Sequence, residues 1–290
     1  MDQATQLRNL IKSQEKQKSL ASVITVTSGK GGVGKSNISV NLAVQMSRLG
    51  KRVIILDADF GLANVEVMFG IRPKYNLSDL MFKNKELVDI LCEGPQGIQI
   101  ISGGSGVQEM ANLTKYQITN LTSKLAELDR LADVIIIDTG AGISNAVLEF
   151  VVNSNDVVVV ATPEPTSITD AYALLKSLNK REDYDKLKPV KLITNRVESY
   201  RNGKELFDKL NVVVNRFLDI QIEFLGAVPQ DSNVPKAVIR QVPFSIAYPN
   251  TKAALAVKEL AGMLLKDTAL VHEDKRGIAY LFSKFIHKHN

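Results

Sequence analysis

From residue 21 onward, short apolar runs alternate with longer stretches whose apolar positions recur every three or four residues. The short runs are 23–27, 53–56, 99–101, 134–137, 157–161, 190–194 and 224–228, rich in Val and Ile. Most lack polar alternation, the pattern of parallel strands covered on both faces. The stretches of helical period are 35–49, 115–130, 144–153, 167–180 and 202–217, with a last long helix over 250–266. Strand–helix–strand repetition predicts an α/β fold: a mostly parallel sheet with helices on both faces and right-handed crossovers. No repeat, low-complexity tract or interior linker divides the chain, so the reading is one domain over 21–270 with appendages at 1–20 and 271–290.

The second appendage has its own periodicity. Ile278, Leu281, Phe282, Phe285 and Ile286 follow i, i+3, i+4, i+7, i+8 and share one helical face, with basic residues flanking or opposing it. A short amphipathic helix rich in Phe and Lys suits a membrane surface. The same face suits docking on the globule, and periodicity does not separate the two. No apolar run of signal-peptide type opens the chain, and no window reaches the roughly 18–20 apolar residues of a membrane span.

Composition sharpens this in two places. The formal charge is +5, of which residues 1–20 hold +2 and residues 275–290 hold +4, leaving −1 for everything between. The globule is nearly neutral, which argues against a nucleic-acid surface spread over it and places the excess charge at the ends. The four basic residues of the tail favour anionic lipid. All three His (272, 287, 289) lie near the C-terminus, which excludes His catalysis in the core. One Cys excludes a disulfide framework and fits a reducing cytosol.

The candidate chemistry begins after the first run. Gly29-Lys30-Gly31-Gly32-Val33-Gly34-Lys35-Ser36 matches G-x-x-x-x-G-K-[ST], and Asn37 opens a helical pattern. Glycines let backbone N–H groups converge on phosphate oxygens, and a helix N-terminus adds positive potential. This chemistry sends Lys35 to the β- and γ-phosphates of a nucleotide and the Ser36 hydroxyl to Mg²⁺. Two further runs end in acid: Asp57 and Asp59 after 53–56, and Asp138 after 134–137. Carboxyl ends of parallel strands are where such sheets bind ligands. An Asp behind four apolar residues needs a cation or hydrogen-bond donors. Asp138 is read as holding Mg²⁺. Asp57 is either a second acid near the metal or a strand end, and Asp59 either a catalytic carboxylate or the cap of a short helix starting near Leu62.

Lys30 turns the motif into K-G-G-x-G-K-[ST], and here the chain resembles the ParA/MinD family of deviant Walker A ATPases. The resemblance implies an ATP-bound homodimer and an ADP-bound monomer, with Lys30 reaching the partner's phosphates. It implies that 57–64 and 138–142 are the two switch segments, with Asp59 acting on the attacking water and Asp57 and Asp138 on the Mg²⁺ side. It implies an adenine pocket from Asn195-Arg196 and from Pro229 and Asp231, which read otherwise are ordinary turn residues. Ser167 and Asp170 are expected to form a capping box.

The first appendage carries Asp2-Gln3-Ala4, Leu7 and Arg8, matching D-Q-A-x-x-L-R. That signature resembles the flagellar-number branch of the family, the FlhG-type ATPases. It implies activation of the signal-recognition-type GTPase FlhF, with Gln3 the contributing residue, and contact with flagellar basal-body and C-ring proteins. Read without the resemblance, residues 1–20 are a polar leader. The expected location is the cytoplasm and the cytoplasmic face of the membrane. The rival readings are a septum-site MinD-type regulator, which does not need the head, and a ParA-type DNA-partitioning ATPase, which predicts salt-sensitive DNA binding.

Overall fold

The computed structural model describes residues 20–59, 64–83, 85–104, 115–270 and 277–287. The head motif with Gln3, residues 60–63 of the first switch, and Lys275 and Arg276 lie outside the described residues, as does the side chain of Phe285.

Eight strands form one sheet: β1 (Ser22–Thr27), β2 (Val53–Ala58), β3 (Leu91–Glu93), β4 (Gln99–Ser102), β5 (Val134–Thr139), β6 (Asp156–Ala161), β7 (Val190–Val197) and β8 (Ile222–Pro229). Their spatial order is β3-β4-β2-β5-β1-β6-β7-β8. All neighbours run parallel except β3, which pairs antiparallel with β4 at one edge. The fold is the α/β architecture that the apolar runs predict. β3 was not among them, because three half-covered residues leave no run to read.

The helices are α1 (Lys35–Arg48), α2 (Asn64–Phe69), α3 (Leu77–Phe82), α4 (Leu87–Ile90), α5 (Lys115–Ala126), α6 (Leu128–Leu131), α7 (Asn145–Asn153), α8 (Pro165–Asn179), α9 (Tyr200–Phe217), α10 (Asn233–Ile239), α11 (Phe244–Ala247), α12 (Lys252–Leu270) and α13 (Ile278–His287). Successive strand side chains serve opposite faces. In β5, Val134 and Ile136 join the core under α1 and α12, while Ile135 and Ile137 join the core under α5, α6 and α13. A third cluster lies under α7, α8 and α9.

Ser144 opens α7 by accepting a hydrogen bond from Val147 N. The capping box expected at the start of α8 is absent: Pro165 stands in the first turn, Glu164 makes no side-chain cap, and Ser167 Oγ accepts from Thr162 N at 3.0 Å. Ser167 therefore serves the strand end rather than the helix.

The tail helix is the main departure from expectation. Ile278, Leu281, Phe282 and Ile286 are fully buried, and α13 packs on α5, α6 and α7. The Phe282 ring meets Phe150 of α7 edge-on, centroids 6.0 Å apart. The face read as a candidate lipid face is thus part of the core, and α13 is no appendage in this conformation. The cause is the ambiguity already in the pattern: an apolar stripe leaves water for whichever apolar surface is at hand. No helix among the described residues is long and apolar enough to cross a membrane.

A core role for α13 has a measurable cost. Phe282→Ala should lower the free energy of unfolding by about 3 kcal/mol or more. Urea denaturation without lipid reads it, and an unchanged midpoint would mean that α13 is not part of the folded core.

Candidate functional site

Every sequence-predicted acid and loop residue in the described set falls at the carboxyl end of the sheet. β1 lies between β5 and β6, and the chain leaves it toward β2 on one side and reaches β6 on the other. Such a reversal opens a crevice at the strand end. The segment Ser28–Gly34 fills that position, and α1 follows it directly.

The loop's shape rests on two glycines with no room for a side chain. A Cβ on Gly29 would lie 2.1 Å from the Asp170 carbonyl oxygen of α8. Gly34 has φ +90°, and a Cβ there would meet Asn195 Nδ2 at 2.5 Å. Gly34 is also the N-cap of α1, where no side chain caps the helix and no acid stands in the first turn. The positive end of α1 is therefore left to an anion.

Beneath the loop lie the buried charges. Asp57 and Asp138 are direct cross-strand neighbours on β2 and β5, 3% and 0% exposed. Lys35 Nζ stands 3.1 Å from Asp138 Oδ1, and Ser39 Oγ donates to the same oxygen at 2.7 Å. Asp138 Oδ2 is buried and has no hydrogen-bond partner. Asp57 accepts from Asp59 N at 3.0 Å and from Val65 N at 3.1 Å. The helix-capping role considered for Asp59 thus falls to Asp57, which holds the first turn of α2. Burial, reinforced by the charge of Asp138, pushes the Asp57 carboxyl from 3.8 up to about 7.

Asp59 is half-buried, which raises its carboxyl above the ordinary range, and its Oδ2 accepts from Asn64 Nδ2 at 3.0 Å. Its Oδ1 lies 3.3 Å from where a Cβ on Gly140 would stand, so the segments after β2 and β5 approach closely here.

The residues present fit Mg²⁺. The orphaned Asp138 Oδ2, the adjacent Asp57 and the Ser36 hydroxyl, 3.5 Å from Lys35 Nζ, offer hard oxygen donors at one place. No cluster of three or more acids, His or Cys suited to a metal occurs among the described residues. An ion sharing its coordination with phosphate and water needs none.

Lys30 points elsewhere. Its ammonium bonds Glu164 Oε2 at 2.6 Å and Thr166 Oγ1 at 2.8 Å, both at the start of α8. Lys30 in turn holds the Glu164 carboxyl below its ordinary range. Both partners reach solvent, so the pair is weak and easily exchanged.

A cleft of about 460 Å³ opens beside this pair, lined by Thr162, Pro163, Glu164, Arg196, Glu198, Asn202 and Gln230. Of the expected base-contacting residues, Arg196 lines it, in a left-handed conformation with φ 57°. Asn195 turns inward: its Nδ2 donates to Val33 O at 2.8 Å and its Oδ1 accepts from Arg196 N at 2.9 Å. Asp231 Oδ1 accepts from Asn233 N and Nδ2, ordering the start of α10 beyond Pro229. Asn195 thus ties the end of β7 to the phosphate loop, and Asp231 orders the chain entering α10.

Sequence reasoning missed Ser39, the Glu164–Thr166 partner of Lys30, and Glu198 and Asn202. Only Ser39 carried a local signal, one helical turn beyond Lys35.

A family model described as ParA, NUBPL iron-transfer P-loop NTPase, matches residues 19–265. The antiactivator FleN of Pseudomonas aeruginosa is 44% identical over 239 residues, 82% of this chain and 84% of that protein. The flagellum site-determining protein YlxH of Helicobacter pylori is 33% identical over 294 positions, covering 98% of both chains. The septum site-determining protein MinD with Mg-ADP from Pyrococcus horikoshii OT3 shares the fold, with a TM-score of 0.67 over 88% of this chain and all of that one at 21% identity. Cys92, the one cysteine, lies in β3 at the sheet edge, with β4, β2 and β5 between it and β1. One thiol per chain falls short of the four that an iron–sulfur cluster takes.

The acid pair predicts a pH dependence. Asp57 binds its proton more tightly folded than unfolded, so the folded state holds more protons between about pH 4 and 7. Without nucleotide and Mg²⁺, stability from this group falls as pH rises through that window, by up to about 1.4 kcal/mol per pH unit. Asp57→Asn should flatten the slope. Urea unfolding between pH 5 and 8 reads it, and equal slopes for both proteins would exclude Asp57 as the source.

Proposed function

The chain belongs to the ParA/MinD family of P-loop NTPases, and from that premise we propose that it is a Mg²⁺-dependent ATPase regulating the number and placement of flagella. ATP binding brings two copies together, ADP leaves them apart, and the tail supplies a conditional foot on anionic lipid at the cytoplasmic face. The observation that carries the flagellar reading is the likeness to YlxH, which covers 98% of each chain.

The chemistry follows from the chain's own groups. The loop backbone and the uncapped N-terminus of α1 bind the triphosphate, with Lys35 on the β- and γ-phosphates. Ser36 and Asp138, with Asp57 behind them, hold Mg²⁺, which neutralises phosphate charge when bound. Asp59, steadied by Asn64, orients the attacking water. Lys30 leaves Glu164 and stabilises the charge developing on the phosphates of the facing copy. Gln3 in the head acts on the flagellar GTPase FlhF, and basal-body and C-ring proteins are further partners.

The buried tail adds a condition. Lipid binding requires α13 to leave its groove, giving up four buried apolar side chains worth about 1.5–3 kcal/mol each. Insertion into a bilayer returns most of that. One short helix holds weakly, and two in a dimer gain avidity.

Asp59→Ala should abolish most ATP turnover and accumulate an ATP-bound dimer, read by phosphate release and size-exclusion chromatography. Normal turnover would remove Asp59 from the mechanism. Vesicles containing phosphatidylglycerol should float the full chain with ATP but not with ADP, and should not float a chain ending at Glu273. Capture of FlhF should need residues 1–20. No capture even with them would favour a septum-type regulator, and salt-sensitive DNA binding by the ATP form a partitioning ATPase.

A further inference from the structure

A cleft of about 480 Å³ opens at the amino ends of β2 and β4, at the far end of the sheet from the nucleotide site. That volume is ample for a bound segment. Val88 of α4, Leu91 of β3 and Leu131 of α6 line it, together with Arg52 and Glu93. Val88 is 71% exposed and Leu131 45%, so two large apolar side chains meet water at one place. Arg52 is already paired, its guanidinium 2.6 Å from Asp133 Oδ1. Glu93 is the one acid in the lining.

The chain outside the described residues begins beside this cleft. Ser22 of β1 and Val53 of β2 both pair with Val134 of β5, so they stand two strand spacings apart, about 10 Å. Val53 lines the cleft, and the head leaves the fold through Ala21 and Leu20. Upstream, residues 12–19 contain no apolar side chain, whereas residues 7–11 hold Leu7, Leu10 and Ile11. Eight extended residues span up to about 26 Å, more than the gap. Leu7, Leu10 and Ile11 follow i, i+3, i+4 and share one helical face, which Gln3 joins four residues earlier. Arg8 and Lys12 flank that face and complement Glu93. The head therefore carries apolar anchors, a tether long enough to seat them, and charge opposite to the acid of the cleft.

We propose that this cleft is the seat of the chain's own head, with Leu7, Leu10 and Ile11 docked against Val88, Leu91 and Leu131. The contact is small, and the tether makes it sufficient: a short flexible link holds the head at an effective concentration of about millimolar. The docking does not depend on what the head binds elsewhere. Under the reading of the head as a partner-binding device, cleft and partner compete for one short segment. The partner must then draw the head, Gln3 included, out of its seat.

The chain has no Trp, so an introduced one reports without background. Val88→Trp and, separately, Leu131→Trp place that reporter in the cleft of the full-length ADP form. Acrylamide quenching of either should be about twofold or more weaker than in the same chain carrying Leu7→Ser, Leu10→Ser and Ile11→Ser. Leu187→Trp, at an 81% exposed position before β7, should quench alike with either head. The protection should not change on dilution. Equal quenching with the native and the Ser-substituted head at both cleft positions overturns the seat. An equal change at Leu187→Trp would mark a global effect and overturn it as well. Protection lost on dilution would put a second copy in the cleft instead of the head.

Discussion

Asp57 and Asp138 stand side by side at the ends of neighbouring strands, both out of water, and Lys35 is the cation set against them. Like charges paired across a sheet are unfavourable, and burial makes them more so. Much of the site can be understood from that constraint. Asp57 is quieted by two backbone N–H groups, which fixes the first turn of α2. Asp138 is quieted on one oxygen by Lys35 and Ser39 and left bare on the other. Above them, α1 presents an N-terminus that no side chain caps. The site is short of a cation below and of an anion above, and a metal–nucleotide pair supplies both at once.

The parts of this arrangement legible in the sequence are the local ones. Val and Ile runs place strands because a strand covered on both faces has no polar position to disguise it. The phosphate loop is legible because its chemistry is written in eight consecutive residues. The pairings of Ser39 with Asp138 and of Lys30 with Glu164 were not legible, because the partners lie 99 and 134 residues apart in the chain. The stretch from α2 to β3 was missed because its elements are six residues or fewer, too short to show a period. The tail stayed undecided for another reason. Its face was read correctly, but hydrophobicity has no direction, and a stripe does not say whether protein or lipid will cover it.

The structure also joins regions that sequence reasoning kept separate. α7 begins at Asn145, three residues after Gly142, and carries Phe150, which touches Phe282 of the tail. Glu149 on the same helix is buried and paired with Arg181 beyond α8. One nine-residue helix thus follows the glycine-containing loop after β5 and meets the tail helix through Phe150.

The contact between Gly29 and the backbone of α8 has a mechanical consequence. Because no side chain separates them, the loop backbone bears directly on the backbone of α8. The helix is 15 residues long, about 22 Å of stiff rod. Its far end, Asn179, accepts a hydrogen bond from Asp219 N, in the turn before β8 at the opposite end of the sheet. One stiff helix therefore touches the phosphate loop near one end and the turn before β8 at the other, on the underside of the molecule.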